Sequence, residues 1–355
     1  MALALRLAER GLYTTSPNPR VGCVLVHDGK VVGEGWHERA GEPHAEVHAL
    51  REAGKSAKGA TAYVTLEPCS HFGRTPPCAD ALIAAGVARA VVAMQDPNPL
   101  VAGQGVARLR AAGIAVECGL METAARELNT GFVSRMTRGT PWVRSKIAAS
   151  LDGRTALANG ASKWITGEAA RRDAQHWRAR SCAVLTGIGT VLADDPQLNV
   201  REIATGRQPL RVVVDSGLRI SPAAKILQSG QVLVYTASSD AAKLHALKAG
   251  GAEVVTLAGA DGKVDLPAVL RDLGQRGINE VLVEAGRELN GALLKAGLVD
   301  ELVLYLAPQL LGDAARGLAD LGELTQLQQR VALQWNEVRQ VGNDLRIVAK
   351  LAKEK

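Results

Sequence analysis

Aromatic residues are scarce: five Trp, four Tyr and two Phe make up 3% of the 355 residues. The core must therefore rest on Ala, Val, Leu and Ile, and a nucleic-acid surface of stacking aromatics among basic residues is poorly supplied. Cysteine is sparse as well. Cys23, Cys69, Cys78, Cys118 and Cys182 are too few and too scattered for a disulfide framework, and their odd number turns attention to metal binding. No apolar run approaches the ~18–20 residues of a membrane span. Even VDELVLYLAPQLLG carries two acids and a proline. Dense blocks of Lys or Arg are also missing. The net charge of +6 suits phosphates or loose nucleic-acid contact and alone decides nothing. The N-terminal MALALRLAERG lacks a basic region followed by a small-residue cleavage site, so it reads as a mature helix. With 47% apolar and 22% charged residues, the chain reads as soluble, globular and cytoplasmic.

What is present is a recurring grammar: an apolar-periodic helix, a glycine stop, then a β-branched run. It appears as ADALIAAG-VARAVVAM, RLRAAG-IAVECG, LHALKAGG-AEVVTL, LRDLGQRG-INEVLVEAG and GALLKAG-LVDELVLYLAP. Glycine just past a helix takes the left-handed turn at least cost, and the following run reads as a strand covered on both faces. Alternating helices and strands predict α/β layers. A seam is expected near RMTRGTPW, punctuated by Gly139 and Pro141, which divides the chain into domains 1–139 and 140–355.

In the first domain His44-Ala45-Glu46 opens an apolar helical stretch, and the strand-like TAYVTL runs into Glu67-Pro68-Cys69, with Cys78 nine residues on. His44, Cys69 and Cys78 supply three zinc ligands and leave a fourth position for water. Glu46 can reach that water without binding the metal and shuttle its proton to a leaving amine. H-x-E followed by P-C and a further Cys is the zinc deaminase arrangement. A zinc-protease reading through His48 fails, because the glutamate does not directly follow the first histidine. Cys23, Cys118, Cys182, His48 and His71 read as structural or supporting residues.

Most zinc deaminases space the two cysteines as P-C-x-x-C, whereas here SHFGRTPP separates them. That segment, with TSPNPRVG at residues 15–22 and GEPHAEVHAL, resembles the deaminase half of the bifunctional riboflavin-biosynthesis deaminase–reductase family. The resemblance implies a cytidine-deaminase-like three-layer domain acting on a diaminopyrimidinone that carries ribosylamine 5-phosphate. It places Asn18 and His37 against the pyrimidine or ribose and Arg74 against the phosphate. The family pattern starts a few residues before the first methionine, so the chain start reads as slightly trimmed.

Beyond Pro141 no complete G-x-G-x-x-G occurs, so a Rossmann fingerprint is not supported. Instead, strand ends are followed by small or polar residues in SKIAASLDGRTA, SKWITGEAARRDAQHWRARS, AVLTGIGTVLADDPQLNVR, LRVVVDSGLRI and VLVEAGRELNGALL. Such turns leave backbone N–H groups free at a helix N-terminus, most clearly at Gly286. Spacing alone leaves open that these are only short αβ turns. In this order, however, the segments resemble the reductase half of the same family, whose fold is similar to dihydrofolate reductase. The resemblance implies NADPH against Ala148, Trp164, Thr190, Asp194, Ser216 and the run Gly286, Arg287, Glu288, Leu289, Asn290, Gly291 and Ala292. It implies substrate contacts at Ser162, Arg178, Leu198, Arg201 and Glu284. Arg178 and Arg201 are forked cations suited to a phosphate. Ser216 and Arg219 suit a 2′-phosphate, which favours NADPH over NADH.

The expected enzyme is therefore a zinc hydrolase acting on a cyclic amidine joined to an NADPH-dependent oxidoreductase. It would take a small phosphorylated pyrimidine, with no nucleic acid or membrane partner, and by family precedent form a homodimer through the reductase domain. The alternatives are a deaminase with a non-catalytic C-terminal substrate-binding module, and an RNA base deaminase.

Overall fold

The computed structural model describes residues 1–70, 77–228 and 230–352. It divides into two units, Met1–Thr140 and Pro141–Lys355. Among the described residues no helix is long and apolar enough to cross a membrane.

In the first unit the elements run α1 (Ala2–Glu9), β1 (Gly22–His27), β2 (Lys30–Trp36), α2 (Ala45–Ala53), β3 (Thr61–Val64), α3 (Cys78–Ala84), β4 (Arg89–Val92), α4 (Gln104–Ala111), β5 (Ala115–Cys118), α5 (Glu122–Leu128) and α6 (Thr130–Arg138). The five-stranded sheet has the order β2-β1-β3-β4-β5. β1 is antiparallel to β2 and β3, and β3, β4 and β5 are parallel. Alternation along β1 makes three layers. Val24 faces Ala4 and Leu7 of α1, while Cys23 and Leu25 face Ala45, Ala49 and Ala53 of α2. Two glycines let α2 approach closely: a Cβ at Gly33 would lie 2.2 Å from the Ala49 carbonyl oxygen, and one at Gly35 would lie 2.3 Å from that of Ala45. The alanines of α2 are the matching half of this contact.

The second unit contains β6 (Trp142–Ser150), β7 (Arg154–Ala156), α7 (Glu168–Arg180), β8 (Ala183–Gly187), α8 (Ile188–Asp194), β9 (Leu210–Val214), β10 (Val232–Thr236), α9 (Ala241–Ala249), β11 (Glu253–Thr256), α10 (Leu266–Gln275), β12 (Glu280–Val283), α11 (Arg287–Lys295), β13 (Glu301–Ala307), β14 (Arg316–Gly317), β15 (Leu333–Val341) and β16 (Asp344–Leu351). Its nine-stranded sheet has the order β11-β10-β9-β8-β12-β6-β13-β16-β15, parallel up to β13 and antiparallel through β16 and β15. Helices cover both faces: Leu270, Leu273 and Leu293 meet one set of strand residues, and Ile188, Val191 and Leu247 the other. Tyr235 and Tyr305 are among the largest buried side chains; most of the remaining core is Ala, Val, Leu and Ile.

The glycine stops do what their position demands. Gly86, Gly113, Gly251, Gly277 and Gly297 all have positive φ between helix and strand. Two expectations need correcting. The edge strand β5 is largely exposed, so a β-branched run after a glycine stop does not guarantee cover on both faces, whereas on the other edge strand, β11, Val254 and Val255 pack against opposite clusters. Periodicity of helix and strand units also passes over two hairpins. β1 and β2 turn at Asp28-Gly29, both at positive φ, and β15 and β16 turn at Gly342.

Candidate active sites

His44 is the N-cap of α2 and Glu46 lies in its first turn, Cys69 follows β3, and Cys78 is the first residue of α3. The elements bring these residues together. His44 Nδ1 lies 3.2 Å from Cys78 Sγ and 3.6 Å from Cys69 Sγ, and all three donor atoms fall within 4.8 Å of one another. A tetrahedral ion with Zn–N of ~2.0–2.1 Å and Zn–S of ~2.3 Å sets N···S near ~3.6 Å and S···S near ~3.8 Å, so the donor set fits zinc. Glu46 is buried (3% exposed), yet Oε2 has no hydrogen-bond partner among the described residues. A buried orphan carboxylate oxygen beside two thiols and an imidazole is a group waiting for a proton donor.

Electrostatics follow from this crowding. Burial first, and the neighbouring Cys69 second, push Glu46 up to about 7. The Cys78 thiol, donating to Cys69, is the largest influence pulling Cys69 down to about 4; His44 adds to it, and burial opposes. Cys78 is pushed up for as long as it donates. A hydrogen bond to Cys69 raises His44.

The residues assigned to the pyrimidine by resemblance also gather here. Asn18 Nδ2 is 3.1 Å from His37 Nε2, the His37 ring sits edge-on to His44 at 5.2 Å between centroids, and His37 Nδ1 meets the Pro43 carbonyl. Burial lowers His37, which favours the neutral ring. Arg74 and His71 lie outside the described residues. Sequence reasoning gave Glu67 no role of its own. It is buried, and its carboxylate accepts from the backbone N–H groups of Asp96 (3.0 Å), Gly103 (2.9 Å) and Val106 (3.1 Å). It anchors the strand end that presents Cys69, and a carboxylate immediately before Pro-Cys was the only signal.

In the second unit the expected residues stand on several elements, among them Ala148 on β6, Arg178 on α7, Thr190 and Asp194 on α8, Ser216 after β9 and Glu284 after β12. Arg178 is not the free forked cation that its sequence suggests. Nε and Nη2 bind both Glu284 oxygens at 2.5 and 3.0 Å, and Nη1 donates to the Asn199 carbonyl at 3.0 Å. Burial would raise Glu284, but Arg178, Lys146 and Arg201 together hold it down at about 2. The exposed Arg201 forms no ion pair within 4 Å among the described residues, although its charge reaches Glu284. Leu198 also differs from expectation: its side chain is buried in the core at φ +51, leaving only its backbone for a ligand.

Gly286 is the N-cap of α11, and its missing side chain faces the Thr190 hydroxyl. Further along the run the roles are structural. Asn290 accepts from Ser145 and donates to the Ala285 carbonyl, and a Cβ at Gly291 would lie 2.1 Å from the Asp320 carbonyl oxygen. The half-buried Ser216 Oγ accepts from Val264 N–H at 3.1 Å. Two residues beyond begins a cavity of 410 Å³ lined by Leu218, Arg219, Ile220, Pro222, Lys243, Ala246 and Leu247. Asp194 pairs with Lys163 at 3.4 Å, Trp164 is 70% exposed, Ser162 is half-buried, and Ala148 sits opposite Tyr305 on the neighbouring strand. Sequence reasoning missed Lys146. Two positions before Ala148 on β6, it lies over the Tyr305 ring and 4.0 Å from Glu284; burial lowers its pKa. A lysine directly before the apolar run at residues 147–149 is the signal that could have found it.

Comparison with known proteins agrees with the geometry. Residues 1–94 match the cytidine and deoxycytidylate deaminase zinc-binding region, and residues 141–347 match the RibD C-terminal domain. The chain is 53% identical to riboflavin biosynthesis protein RibD of Escherichia coli K12, over 97% of this chain and 96% of that one. Against RibD of Aquifex aeolicus it is 43% identical over 99% and 97%. The solved structure of Acinetobacter baumannii RibD superposes with a TM-score of 0.93 at 48% identity, covering 99% and 98% of the two chains. A Thermotoga maritima structure, described as a diaminohydroxyphosphoribosylaminopyrimidine deaminase and 5-amino-6-(5-phosphoribosylamino)uracil reductase, gives 0.87 at 33% identity over 99% and 97%. With both domain models matched in order and full-length relatives well above 30% identity, the chain belongs to the RibD family of riboflavin biosynthesis proteins.

Proposed function

We propose that the chain is a bifunctional enzyme of flavin-precursor synthesis. Residues 1–139 remove the 2-amino group of 2,5-diamino-6-ribosylamino-4(3H)-pyrimidinone 5′-phosphate by hydrolysis. Residues 140–355 then reduce the ribosyl group to ribityl with NADPH, giving 5-amino-6-ribitylaminouracil 5′-phosphate. The observation that carries the reading is the His44, Cys69 and Cys78 donor set with the orphaned Glu46 oxygen beside it.

His44, Cys69 and Cys78 would hold zinc, which would supply Lewis-acid activation of water. Glu46 would hold a proton at Oε2, which has no partner among the described residues, and pass it to the departing amine. Asn18 and His37, already bonded to each other, orient the pyrimidine. Arg74 is assigned to the phosphate on the resemblance alone.

NADPH supplies the hydride for C1′ of the opened ribosylamine. Ala148, Trp164, Thr190, Asp194 and Ser216 would line its site, and the N-terminus of α11 from Gly286 through Arg287, Glu288 and Leu289 to Ala292 would receive its phosphates; Asn290 and Gly291 hold that helix in place. Arg219 and Lys243 at the neighbouring cavity suit a 2′-phosphate. Arg201 takes the substrate phosphate, with Ser162 and the Leu198 backbone beside it. Arg178 holds Glu284 ionised to accept sugar hydroxyls, and Lys146 keeps a proton at Nζ next to them. Full-length similarity to bifunctional relatives leaves the readings of a non-catalytic second half and an RNA deaminase without support. Metal analysis combined with turnover of the diaminopyrimidinone phosphate, with and without NADPH, tests the function. Deamination without zinc, or no NADPH oxidation, would refute it.

A second copy of the chain would cover β15. This edge strand exposes Trp335 (64%) and Val338 (58%) on an otherwise unpaired side, which is the kind of edge that self-association covers. Light scattering of the protein against Trp335→Glu tests it: a dimer that becomes a monomer supports the interface, and a monomeric parent protein refutes it. Thiolate ligands and a phosphorylated metabolite point to the reducing cytoplasm.

A further inference from the structure

Trp164 stands in a segment that many side chains hold. Lys163 pairs with Asp194, Gln309 Nε2 donates to the Ile165 carbonyl at 3.0 Å, Arg171 Nη1 donates to the Thr166 carbonyl at 2.8 Å, and Asp344 accepts from Gly167 N–H at 2.7 Å. Arg171 makes a second contact: its guanidinium carbon lies 4.6 Å from the centre of the Trp164 ring. Neighbouring arginines are spent on acids, Arg172 on Glu168 and Glu202, Arg178 on Glu284. Arg171 has no acid partner among the described residues; its charge goes to the indole and the Thr166 carbonyl.

We propose that Arg171 is a positioning residue for the reductase cofactor, presenting Trp164 as a fixed ring with one face closed by the guanidinium and the rest open. The inference rests on the reading that NADPH lies against Trp164. A large apolar ring left 70% exposed gains nothing from solvent, and fixing its rotamer beforehand removes an ordering cost from ligand binding. The charge has a second effect. Oxidised nicotinamide is cationic and reduced nicotinamide is neutral, so an indole already facing a guanidinium attracts the oxidised ring less. Arg171 thus strengthens the binding of NADPH more than that of NADP⁺.

The test is cofactor affinity of the full-length, zinc-loaded protein by fluorescence, alongside steady-state kinetics. Arg171→Met should raise the Kd for NADPH by about five- to fifty-fold, from loss of the ring contact and one hydrogen bond. It should raise the Kd for NADP⁺ by clearly less, and raise the KM for NADPH by a larger factor than it changes kcat. Arg171→Lys, which keeps charge but not the fork, should fall between, and carries the test if the Met variant folds poorly. Combined with Trp164→Ala the losses should not add. If Trp164→Ala weakens NADPH but Arg171→Met does not, or the two losses add fully, the positioning role is overturned and the cofactor placement stands. If Trp164→Ala leaves NADPH binding unchanged, the cofactor placement itself fails.

Discussion

Glu67→Gln probes how far the metal site depends on a residue that touches no metal. The Glu67 carboxylate is 5% exposed and accepts from three backbone N–H groups, two on Oε2 and one on Oε1. An amide of the same size keeps one acceptor and turns the other atom into a donor. Its best orientation leaves Val106 N–H facing an NH₂ and strips the charge from the remaining pair. One unsatisfied buried donor costs about 1–3 kcal/mol, and two charge-assisted bonds reduced to neutral ones lose about 1 kcal/mol each, giving about 3–5 kcal/mol in all. For a unit of about 140 residues, near 3 °C per kcal/mol, melting should fall by roughly 10 °C. Calorimetry of the zinc-loaded protein reads this directly, with NADPH-dependent reduction of deaminated substrate as the control for the other unit. Zinc should also leave more readily, because Cys69 follows Glu67 by two residues. A melting shift under about 2 °C with zinc retention unchanged would refute the claim that this carboxylate holds the ligand loop.

Other substitutions divide the two chemistries. Glu46→Gln should lower deamination by several orders of magnitude with zinc still bound and reduction of deaminated substrate intact; loss of zinc would make Glu46 a ligand. Cys69→Ser or Cys78→Ser should lose zinc by metal analysis, whereas Cys23→Ser and Cys118→Ser should keep it. Arg201→Ala removes an anchor worth about 2–3 kcal/mol and should raise the substrate KM about 30- to 150-fold with little effect on NADPH. Ser216→Asp can still accept from Val264 N–H, so its expected narrowing of the NADPH-over-NADH preference isolates charge at the 2′-phosphate; an unchanged preference would misplace that phosphate. Glu284, held at about 2 against 4.5 for an ordinary Glu, stabilises the fold above pH 4.5 and loses up to about 3 kcal/mol as pH falls toward 2. Denaturation curves of Glu284→Gln should lack that loss.

Much of this molecule can be read from its letters because the signals are local. Helix, glycine and strand recur with fixed chemistry, and the H-x-E and P-C signatures need only tens of residues to declare a metal site. What escaped the sequence depends on distant partners. Arg178 looks like a phosphate anchor until Glu284, 106 positions later, is seen gripping it. Asn290 and Gly291 sit in a run that resembles a phosphate loop, yet one ties β6 to α11 and the other makes room for Asp320. Lys146 was hidden for the same reason: in a strand that also carries Arg144 and Ser145, only its surroundings reveal that it is buried beside a carboxylate. The two hairpins were missed because their alternation is partial and their turns, Asp28-Gly29 and Gly342, are short.

The contact between β2 and α2 carries a consequence for variation. Gly33 and Gly35 sit on a strand that supplies no zinc ligand, and they look like neutral ground. Yet a methyl group at Gly35 would meet the Ala45 carbonyl oxygen at 2.3 Å and the Ala49 nitrogen at 2.6 Å. Both atoms are backbone, so relief requires the helix itself to withdraw by about 1 Å, and a shift of that size at reacting groups can cost about a hundredfold in rate. His44 and Glu46 ride on that helix. An alanine at Gly35 should therefore behave in a genetic screen like a lesion of the proton shuttle, in a protein whose ligands and Glu46 are all intact.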